Sequence, residues 1–382
     1  MKIGIDARFY GPLGKGLGRY TQKLIENLEK EDDQNEYFIF LRRENFEEYQ
    51  PKSKNFHKVL ADYRWYTLAE QIKMPKLLNK LKLDLAHFPH FNVPLFYFGR
   101  FIVTIHDLIL LHFPTVRSTT LPSIFYWLKF FAYKIVISSA IRRSNRIIAV
   151  SKFTKNDILK NYRRIPEEKI TVTYEACDDY CFFNPKPYAE IFSRYGIIKP
   201  YLLYVGNVYP HKNPERLVLA FKQLEKQIPE LRLVFVGAED YFYKRLKEFV
   251  RSEKISNVIF AGFVPDHDLD VVFKGAVAYV RPSLYEGFEL PPLEAMARGV
   301  PVICSDHSCA REILEDSPAY FNGENIEDMA RAMAAVFADA GFRENLITKG
   351  YLQTKKYSWR RMAKDTLAIY LHTHNAPRKT WK

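Results

Sequence analysis

The sequence predicts a two-lobed α/β protein in which each lobe is built on its own parallel sheet. The chain has 382 residues, which is more than a single hydrophobic core usually supports. In both halves, short apolar runs alternate with longer helix-compatible segments, a pattern typical of parallel sheets. Between residues 178 and 200 the pattern stops and proline and glycine interrupt the chain, which indicates a linker between two Rossmann-like lobes.

The predicted strands divide between the two lobes. They are residues 2–6, 37–41, 85–88, 101–105 and 146–150 in the first lobe, and 201–205, 231–237, 258–261, 276–280, 301–305 and 319–321 in the second. We expect the first lobe to cover residues 1–183 and the second residues 184–357. A last helix, predicted at residues 358–370, carries apolar side chains on a helical repeat and needs a surface to pack against. We therefore assign residues 358–382 to the first lobe.

The composition is typical of an ordered globular protein, with 47% hydrophobic and 26% charged residues. The four cysteines form neither a zinc-binding pattern nor a disulfide framework, so we expect reduced thiols. The N-terminus, MKIGIDARFYG, lacks the long apolar region of a secretory signal. These features predict a cytoplasmic protein.

The formal net charge of +13 favours an anionic partner, which can be nucleic acid, an anionic membrane surface or a phosphorylated substrate. Residues 108–156 contain no acidic residue, which makes one region of the first lobe strongly cationic. The basic stretch shows no nucleic-acid-binding motif, so we expect no nucleic acid. The basic residues of this stretch are Arg117, Lys129, Lys134, Arg142, Arg143, Arg146, Lys152 and Lys155.

The segment 121–140, LPSIFYWLKFFAYKIVISSA, is about as long as a membrane span, but two lysines lie in its middle. We interpret it as a helix with a broad apolar face that either packs on the first lobe or lies in a membrane interface. Contact with an anionic membrane at the inner face of the cell membrane follows from the second alternative. Both alternatives remain open on the sequence.

The strongest functional pattern is residues 282–297, PSLYEGFELPPLEAMA, where a strand ends at a glycine turn and a helix begins with prolines. In a doubly wound sheet this turn lies at the carboxyl end of a strand, where ligands bind. The N–H groups at the start of the next helix favour an anion such as a diphosphate. Glu286 can accept hydrogen bonds from sugar hydroxyls, and Glu294, about two helical turns further on, can reach a ribose.

Three further segments carry candidate residues. In residues 206–213, GNVYPHKN, a loop delivers Lys212 to the start of a helix, where it can neutralise a diphosphate leaving group. Residues 11–20, GPLGKGLGRY, predict a glycine-rich loop suited to close approach of the backbone to a ligand. His106 follows a strand beside Asp107, which places an imidazole and a carboxylate at a strand end.

The Glu286 and Glu294 pair, in an E-x7-E element, and the 206–213 segment together resemble the family 4 glycosyltransferases. These are metal-independent retaining enzymes of the GT-B fold that use nucleotide sugars. The resemblance covers nearly the whole chain. It implies two Rossmann-like lobes whose parallel sheets face each other across a cleft, with the donor on the second lobe and the acceptor entering from the first.

The resemblance also implies roles for individual residues. Glu286 lies against the transferred sugar, Glu294 holds the donor ribose and Lys212 binds phosphate. His106 lies near the acceptor and contributes hydrogen bonds rather than acting as a nucleophile, so Glu286, Lys212 and His106 are the expected catalytic residues. The other expected donor-binding positions are Gly16, Gly18, Arg19, Asn207, Phe263, Gly287, Phe288, Glu289 and Leu290.

This chain departs from the common pattern of the family at three places on the donor side. Glu289 stands where the second glycine of EGFG is expected, which adds a negative charge near a diphosphate. His211 replaces a frequent arginine before Lys212, and Arg311 replaces a proline before Glu312, a weak candidate. Ser151, in the segment AVSKFT, is expected to cap a helix rather than to bind a ligand.

We therefore expect a retaining, metal-independent hexosyltransferase that moves mannose from GDP-mannose to a glycan or lipid-linked acceptor in cell-surface polysaccharide assembly. Uridine diphosphate sugars are the next donors to consider. The aromatic residues that precede His106 suit a lipid-linked or polyanionic acceptor. The alternatives are a nucleotide-sugar epimerase on the same architecture, an inactive homologue that serves as a scaffold, and a basic nucleic-acid-binding protein.

Overall fold

The computed structural model describes residues 1–11, 15–114, 123–177 and 188–377. The described residues group into two compact units, one drawn from Met1–Leu110, Pro122–Glu175 and Ser358–Lys382, the other from Leu111–Leu121 and Ala176–Tyr357. We call them the first and the second lobe. The expected boundary between residues 183 and 184 lies outside the described residues. Part of the expected linker, Tyr188–Arg194, forms a helix of the second lobe.

The first lobe has a seven-stranded parallel sheet in the order β3-β2-β1-β4-β5-β6-β7. Its strands are β1 (Lys2–Asp6), β2 (Glu36–Leu41), β3 (Phe56–Leu60), β4 (Leu85–Phe88), β5 (Phe101–Ile105), β6 (Arg146–Ala149) and β7 (Ile170–Val172). Its helices are α1 (Lys15–Glu31), α2 (Leu68–Lys80), α4 (Ser123–Arg143) and α5 (Lys152–Asn161), and the division between the two lobes falls within the short helix α3 (Ile109–His112).

The second lobe has a six-stranded parallel sheet in the order β10-β9-β8-β11-β12-β13. Its strands are β8 (Tyr201–Val205), β9 (Arg232–Val236), β10 (Val258–Gly262), β11 (Ala278–Arg281), β12 (Val302–Ser305) and β13 (Ala319–Phe321). Its helices are α6 (Tyr188–Arg194), α7 (Pro214–Gln227), α8 (Tyr241–Ser252), α9 (Asp266–Gly275), α10 (Leu290–Ala297), α11 (Ser308–Leu314), α12 (Ile326–Ala338) and α13 (Ala340–Thr354).

Each sheet is buried on both faces because its central strands are almost entirely apolar. β5 and β8 are examples in which nearly every side chain is buried. The helices place one apolar stripe on the sheet, as α7 does with Leu217, Phe221 and Leu224. The prediction of two Rossmann-like lobes with parallel sheets is confirmed.

The last helix, α14 (Trp359–Asn375), packs against α1 of the first lobe, as the sequence predicted. Its Tyr370 hydroxyl lies 2.7 Å from Nδ1 of buried His87. Arg360 and Lys364 at its start pair with Glu31 at the end of α1. Within the described ranges, no helix combines the length and the apolar character needed to cross a bilayer.

Candidate functional site

The two sheets have the same strand order around their first strand, so each has a point at which the order reverses. This point lies between β1 and β4 in the first lobe and between β8 and β11 in the second. Open α/β sheets bind ligands outside the carboxyl ends of the strands at this point. In the second lobe, the loops that follow β8 and β11 are residues 206–213 and 282–289, the two segments that the sequence singled out.

The loop after β8 is built to present Lys212 beside the loop after β11. Gly206 has a φ of 137°, a conformation that residues with a Cβ rarely adopt, and the space around its Cα is open. The Asn213 amide donates to the carbonyls of Pro282 and Gly323 at 3.1 and 2.7 Å. The N–H of Leu284 donates to the carbonyl of His211 at 2.9 Å. These bonds fix the two loops to each other.

Lys212, Glu286 and Arg281 form a buried charged cluster at this point. The Lys212 ammonium donates to both carboxylate oxygens of Glu286, at 2.6 and 2.7 Å. Nη2 of Arg281 lies 2.6 Å from Oε1 of Glu286, and the Arg281 side chain is 4% exposed. Burial by itself raises the pKa of Glu286, but Arg281 and Lys212 outweigh it and lower this pKa to about 2. Burial lowers the pKa of Lys212.

The Glu289 carboxylate is fully buried beside Arg281 and His307. Its Oε2 lies 3.4 Å from Nε of Arg281 and its Oε1 lies 2.9 Å from Nε2 of His307. Neither oxygen has a hydrogen bond of good geometry within the described part of the chain. Arg281 therefore bridges Glu286 and Glu289, and the charge that replaces the family's glycine is offset by a neighbouring arginine.

Glu289, Cys304 and His307 place one ligand-type atom each within 4.8 Å of one another, as a metal site would. Two observations oppose a metal there. Nδ1 of His307 accepts the N–H of Ala310 at 3.4 Å, so the proton of a neutral His307 lies on Nε2, the nitrogen that faces Glu289. The guanidinium of Arg281 also lies beside the same carboxylate. We therefore interpret the Glu289 carboxylate as the ion-pair partner of Arg281 rather than as a metal ligand.

Further polar atoms at this point have no hydrogen-bond partner within the described residues. They include buried Oδ1 of Asn207 and buried Oγ of Ser283, one in each loop. Buried polar atoms without partners are rare in native proteins and indicate groups that a ligand or water satisfies. The start of α10 offers fewer N–H donors than the sequence suggested, because Pro291 and Pro292 have none and the N–H of Leu293 donates to the carbonyl of Glu289.

The other donor-side candidates lie elsewhere in the second lobe. Glu294 is buried on α10, and Leu290 begins that helix. Phe288 packs against the ring of Tyr357 with ring centres 5.7 Å apart. Phe263 follows β10 at the edge of the sheet, two strands away from β8, and is 69% exposed. Arg311 pairs with Asp306 at 2.6 Å and lies over the ring of Tyr320.

In the first lobe, the expected glycine-rich loop is partly helical. Gly16, Gly18 and Arg19 lie in the first turns of α1 rather than in a loop. A Cβ on Gly18 would lie 2.1 Å from the carbonyl oxygen of Gly11, so this position requires glycine for α1 to start against the chain that follows β1. The prediction of a glycine-rich loop was wrong for Gly16, Gly18 and Arg19, because α1 already begins at Lys15. Residues 12–14 lie outside the described part of the chain.

His106 follows β5, and both of its ring nitrogens have partners. Nδ1 lies 2.9 Å from Oε1 of Glu175, and Nε2 lies 2.9 Å from the carbonyl oxygen of Pro89. The ring of Tyr20, the residue after Arg19, packs edge-on against His106 with ring centres 4.7 Å apart. Burial by itself lowers the pKa of His106, but the hydrogen bond and charge of Glu175 outweigh it and raise this pKa.

Sequence reasoning missed three residues that contact the candidates. Arg281 is the charged last residue of the otherwise apolar strand AYVR, a signal that the sequence does contain. Glu175 comes shortly after β7, and His307 caps α11. The cap that was predicted at Ser151 is confirmed, since its side chain accepts the N–H of Thr154 at 3.0 Å.

Two lobes with this strand order define the GT-B fold, and solved structures show the same fold. A sucrose-phosphate synthase from Thermosynechococcus elongatus superposes with a TM-score of 0.74 over 97% of this chain and 98% of its own, at 19% identity. Residues 14–179 match the model of "Glycosyltransferase Family 4", and residues 190–353 match that of "Glycosyl transferases group 1". The chain belongs to glycosyltransferase family 4, whose members are retaining hexosyltransferases.

Enzymes of this family use nucleotide-sugar donors, generally without metal ions. Among curated relatives, O-antigen chain mannosyltransferase B of Escherichia coli is 26% identical over 376 residues, which cover 93% of this chain and 95% of the relative. O-antigen chain mannosyltransferase RfbU of Salmonella typhimurium is 28% identical over 262 residues, which cover 68% of this chain and 67% of the relative.

Proposed function

We propose that this glycosyltransferase moves mannose from GDP-mannose to a glycan or lipid-linked acceptor during assembly of a cell-surface polysaccharide. The observation that carries the donor side is the buried cluster of Lys212, Glu286 and Arg281 at the point of strand reversal. The choice of mannose is supported by the names of the two O-antigen mannosyltransferases to which the chain is similar.

The cluster suits a negatively charged leaving group because Lys212 can exchange one partner for another. Without donor, its ammonium is held by Glu286. A diphosphate that approaches the N–H groups of residues 287–290 attracts the ammonium, and Arg281 keeps the Glu286 carboxylate compensated when Lys212 turns away. Glu286 then accepts hydrogen bonds from sugar hydroxyls, the role that Glu286 has by family resemblance.

Retention of configuration follows two alternative routes, a glycosyl-enzyme intermediate or attack by the acceptor on the face of the leaving group. Glu286 is the carboxylate expected beside the sugar, and two cations hold it. A carboxylate with a pKa of about 2 and two cationic partners is a weak nucleophile, which supports the second route. Lys212 and the backbone N–H groups then stabilise the departing diphosphate.

The first lobe supports an acceptor at a membrane surface. Between residues 127 and 135, α4 exposes the large apolar side chains Trp127, Leu128, Phe131 and Ile135, while Ile137 and Ile141 further along pack in the core. Exposed apolar side chains on a basic helix favour an interfacial position on an anionic membrane. These features support our proposal that the enzyme acts at the inner face of the cell membrane.

The test is a transfer assay with purified protein and a panel of nucleotide sugars. We expect thermal stabilisation by GDP, turnover of GDP-mannose that depends on acceptor, and a product with the anomeric configuration of the donor by NMR. Activity should persist in a chelator. Lys212→Ala should abolish donor stabilisation, and Lys226→Ala, on the exposed side of α7, is the matched control.

Other outcomes separate the alternatives. Conversion of the nucleotide sugar into an epimer without an acceptor would establish an epimerase. Tight nucleotide binding without turnover of any sugar in the panel would establish a scaffold. Turnover of uridine diphosphate sugars in place of GDP-mannose would retain the transferase and overturn the choice of donor.

A further inference from the structure

A series of buried hydrogen bonds runs through the core of the first lobe, from the last helix towards His106. The Tyr370 hydroxyl of α14 lies 2.7 Å from Nδ1 of His87 on β4. Nε2 of His87 lies 2.9 Å from the Thr104 hydroxyl of β5, and this hydroxyl lies 3.2 Å from that of Tyr20 on α1. We call these four residues the Tyr370 network. It joins four elements of the lobe, and two of them, α1 and β5, carry or precede candidate site residues.

The Tyr370 network lies deep in an apolar core. All four of its side chains are fully buried. Polar groups at such a depth cost free energy unless each of them is hydrogen-bonded, so apolar side chains could fill the same space at no such cost. A fully bonded polar network, however, holds its side chains in one arrangement more strictly than apolar packing does. What the network adds to the lobe is therefore a fixed arrangement of side chains.

The Tyr370 network carries no charge at neutral pH. Burial, together with the charge of His106, lowers the pKa of His87 to about 3, so the His87 ring is neutral. Burial raises the pKa of Tyr20 and of Tyr370. A neutral imidazole has one N–H and one acceptor nitrogen, and a hydroxyl on either side can serve either of them. Both ring nitrogens are thus satisfied without a change of protonation, and the network suits positioning rather than pH sensing.

Tyr20 is the member of the Tyr370 network that contacts a candidate residue. Its ring packs edge-on against that of His106, with ring centres 4.7 Å apart and the planes at 89°. Tyr20 also directly follows the candidate Arg19 on α1. The nitrogens of His106 face the Glu175 carboxylate and a backbone carbonyl, both at 2.9 Å. These contacts fix the positions of the two nitrogens, and the contact with Tyr20 limits the tilt of the ring plane.

Helix α14 gives the Tyr370 network a fixed outer end. The first turns of this helix pair with the end of α1. Its last turn is held by Arg100, which precedes β5 and donates to the carbonyls of His374 and Ala376 at 2.7 and 2.6 Å. Tyr370 lies between these two attachments. Its hydroxyl therefore meets His87 from a helix that is anchored on both sides of it.

We infer that Tyr370 is a positioning residue for His106 and acts on it through the other members of the Tyr370 network. The inference rests on the proposed function, since the reaction concerned is the sugar transfer to which His106 is expected to contribute. A small displacement of a group that takes part in the transition state can lower turnover strongly. The last helix thus affects turnover through the core of the lobe.

The test compares Tyr370→Phe with Thr366→Val, which also removes a buried hydroxyl from α14 but lies outside the Tyr370 network. Tyr370→Phe should lower kcat for transfer roughly tenfold and change KM for the donor less than about twofold, because the donor is held mainly by the second lobe. Thr366→Val should leave both constants within about twofold of wild type. Thermal unfolding, measured on each variant, verifies that it is folded.

A second variant interrupts the same network at another point. Thr104→Val keeps the shape of the side chain and removes the hydroxyl that joins His87 to Tyr20. It should lower kcat about as much as Tyr370→Phe does, and it supplies the comparison if Tyr370→Phe does not fold. The double variant should lose no more than roughly tenfold, because both substitutions break one series of contacts.

Three kinetic outcomes would overturn the inference. An unchanged kcat in folded Tyr370→Phe would show that the network only stabilises the lobe. Equal losses in Tyr370→Phe and Thr366→Val would show a general effect of α14. A loss of roughly a hundredfold in the double variant, the product of the two single losses, would show that Tyr370 and Thr104 act independently.

A second readout does not depend on turnover. In NMR spectra of the histidine rings, Tyr370→Phe and Thr104→Val should shift the His106 signals, and Thr366→Val should leave them in place. Signals that stay in place while kcat falls would overturn the inference, because the effect would then not pass through His106. If no nucleotide sugar turns over but the His106 signals move as expected, the proposed function fails and the positioning by Tyr370 stands. If transfer occurs and neither kcat nor the His106 signals respond to Tyr370→Phe, the reverse holds.

Discussion

Each lobe contains a buried arginine between two carboxylates close to the point of strand reversal, and the two arginines have different surroundings. Arg8 in the first lobe lies between Asp6 and Glu70, at 2.7 and 2.5 Å. Arg281 in the second lobe lies between Glu286 and Glu289, at 2.6 and 3.4 Å. The same fold thus uses the same kind of ion-pair triad in two places.

The difference lies in what the triads leave unsatisfied. The carboxylates around Arg8 also accept hydrogen bonds from Asn92, Tyr66 and the N–H of Arg8 itself. Around Arg281, Glu289 lacks a hydrogen bond of good geometry within the described residues. Glu286 in turn shares its charge with Lys212. A triad whose carboxylates have all their hydrogen-bond partners stabilises the fold. A triad with an unsatisfied carboxylate can rearrange when a charged ligand binds.

The largest effect is expected from Arg281→Met. It leaves Glu289 buried without its arginine, and breaking a buried ion pair in this way costs about 4 kcal/mol. The free energy of unfolding should be measured by urea titration followed by far-UV circular dichroism. Tryptophan fluorescence reports on the first lobe, because the sequence has no tryptophan between residues 128 and 358. The fluorescence transition should therefore move less than the dichroism transition.

The comparison with the first lobe supplies the controls for this prediction. Arg8→Met should show a similar cost, and there the fluorescence transition should move. The double variant Arg281→Met with Glu289→Gly should lose about 2 kcal/mol less free energy of unfolding than the two single variants lose in sum, because neither charge is then left unpaired. Strict additivity of the two substitutions would show that the residues do not act as a pair.

The next effect is expected from Glu286→Gln, which keeps the shape of the side chain and removes its charge. Lys212 and Arg281 then face each other without a carboxylate between them, and the sugar loses a strong hydrogen-bond acceptor. We expect kcat/KM for the donor to fall roughly a hundredfold, the scale seen when one preorganised polar group is removed from a transition-state site. Glu324→Gln, at an exposed position of the same lobe, should leave kcat/KM unchanged. A fall of less than about threefold in kcat/KM for Glu286→Gln would show that Glu286 does not contribute to the donor site.

A smaller effect is expected from Glu175→Gln, and its sign depends on pH. Glu175 raises the pKa of His106, so the pair stabilises the protein below the ordinary histidine value of about 6.5 and loses this contribution as pH rises through the folded value. Glu175→Gln should lower the free energy of unfolding by about 1.5 kcal/mol near pH 5.5 and by clearly less at pH 9. The pKa of His106, measured by NMR titration, should fall because burial is then less opposed.

The control for this prediction is Glu168→Gln, at an exposed position of the same lobe. It should leave both the NMR titration of His106 and the free energy of unfolding unchanged. A destabilisation by Glu175→Gln that is equal at the two pH values would show that Glu175 acts by packing rather than through its charge.

The sequence predicted the parts of the fold that depend on long apolar runs. It missed β3 and β7, which are edge strands. The first, FHKVL, carries polar residues, and the second, ITV, has three residues, so neither gives a clear pattern. The donor-side candidates could be proposed from the sequence because they lie in contiguous motifs. Arg281, Glu175 and His307 were missed because their importance depends on which side chains the topology brings beside them.

Glu289, which departs from the family's glycine, shows that a local sequence pattern can mislead when the residues that contact it in the fold are unknown. In sequence, a glutamate in place of glycine adds negative charge near a diphosphate. In the structure, its carboxylate is fully buried beside Arg281 and His307. We therefore expect the substitution to affect the donor indirectly, through the contacts of Arg281 with Glu289 and Glu286. A charged residue at the end of β11 was the signal in the sequence that this charge has a partner.

The smallest effect is expected from Ser151→Ala, which removes the cap of α5. The Ser151 hydroxyl accepts the N–H of Thr154 at 3.0 Å, and the Thr154 hydroxyl donates to the carbonyl of His106 at 3.1 Å. Loss of a cap of this kind costs about 1 kcal/mol. The matched variant is Asn325→Ala, which removes the cap of α12 in the second lobe. If the lobes unfold separately, Ser151→Ala should move the fluorescence transition and Asn325→Ala the dichroism transition. If both variants move both transitions equally, the two lobes unfold as one cooperative unit, and the buried arginines must then be compared through activity rather than stability.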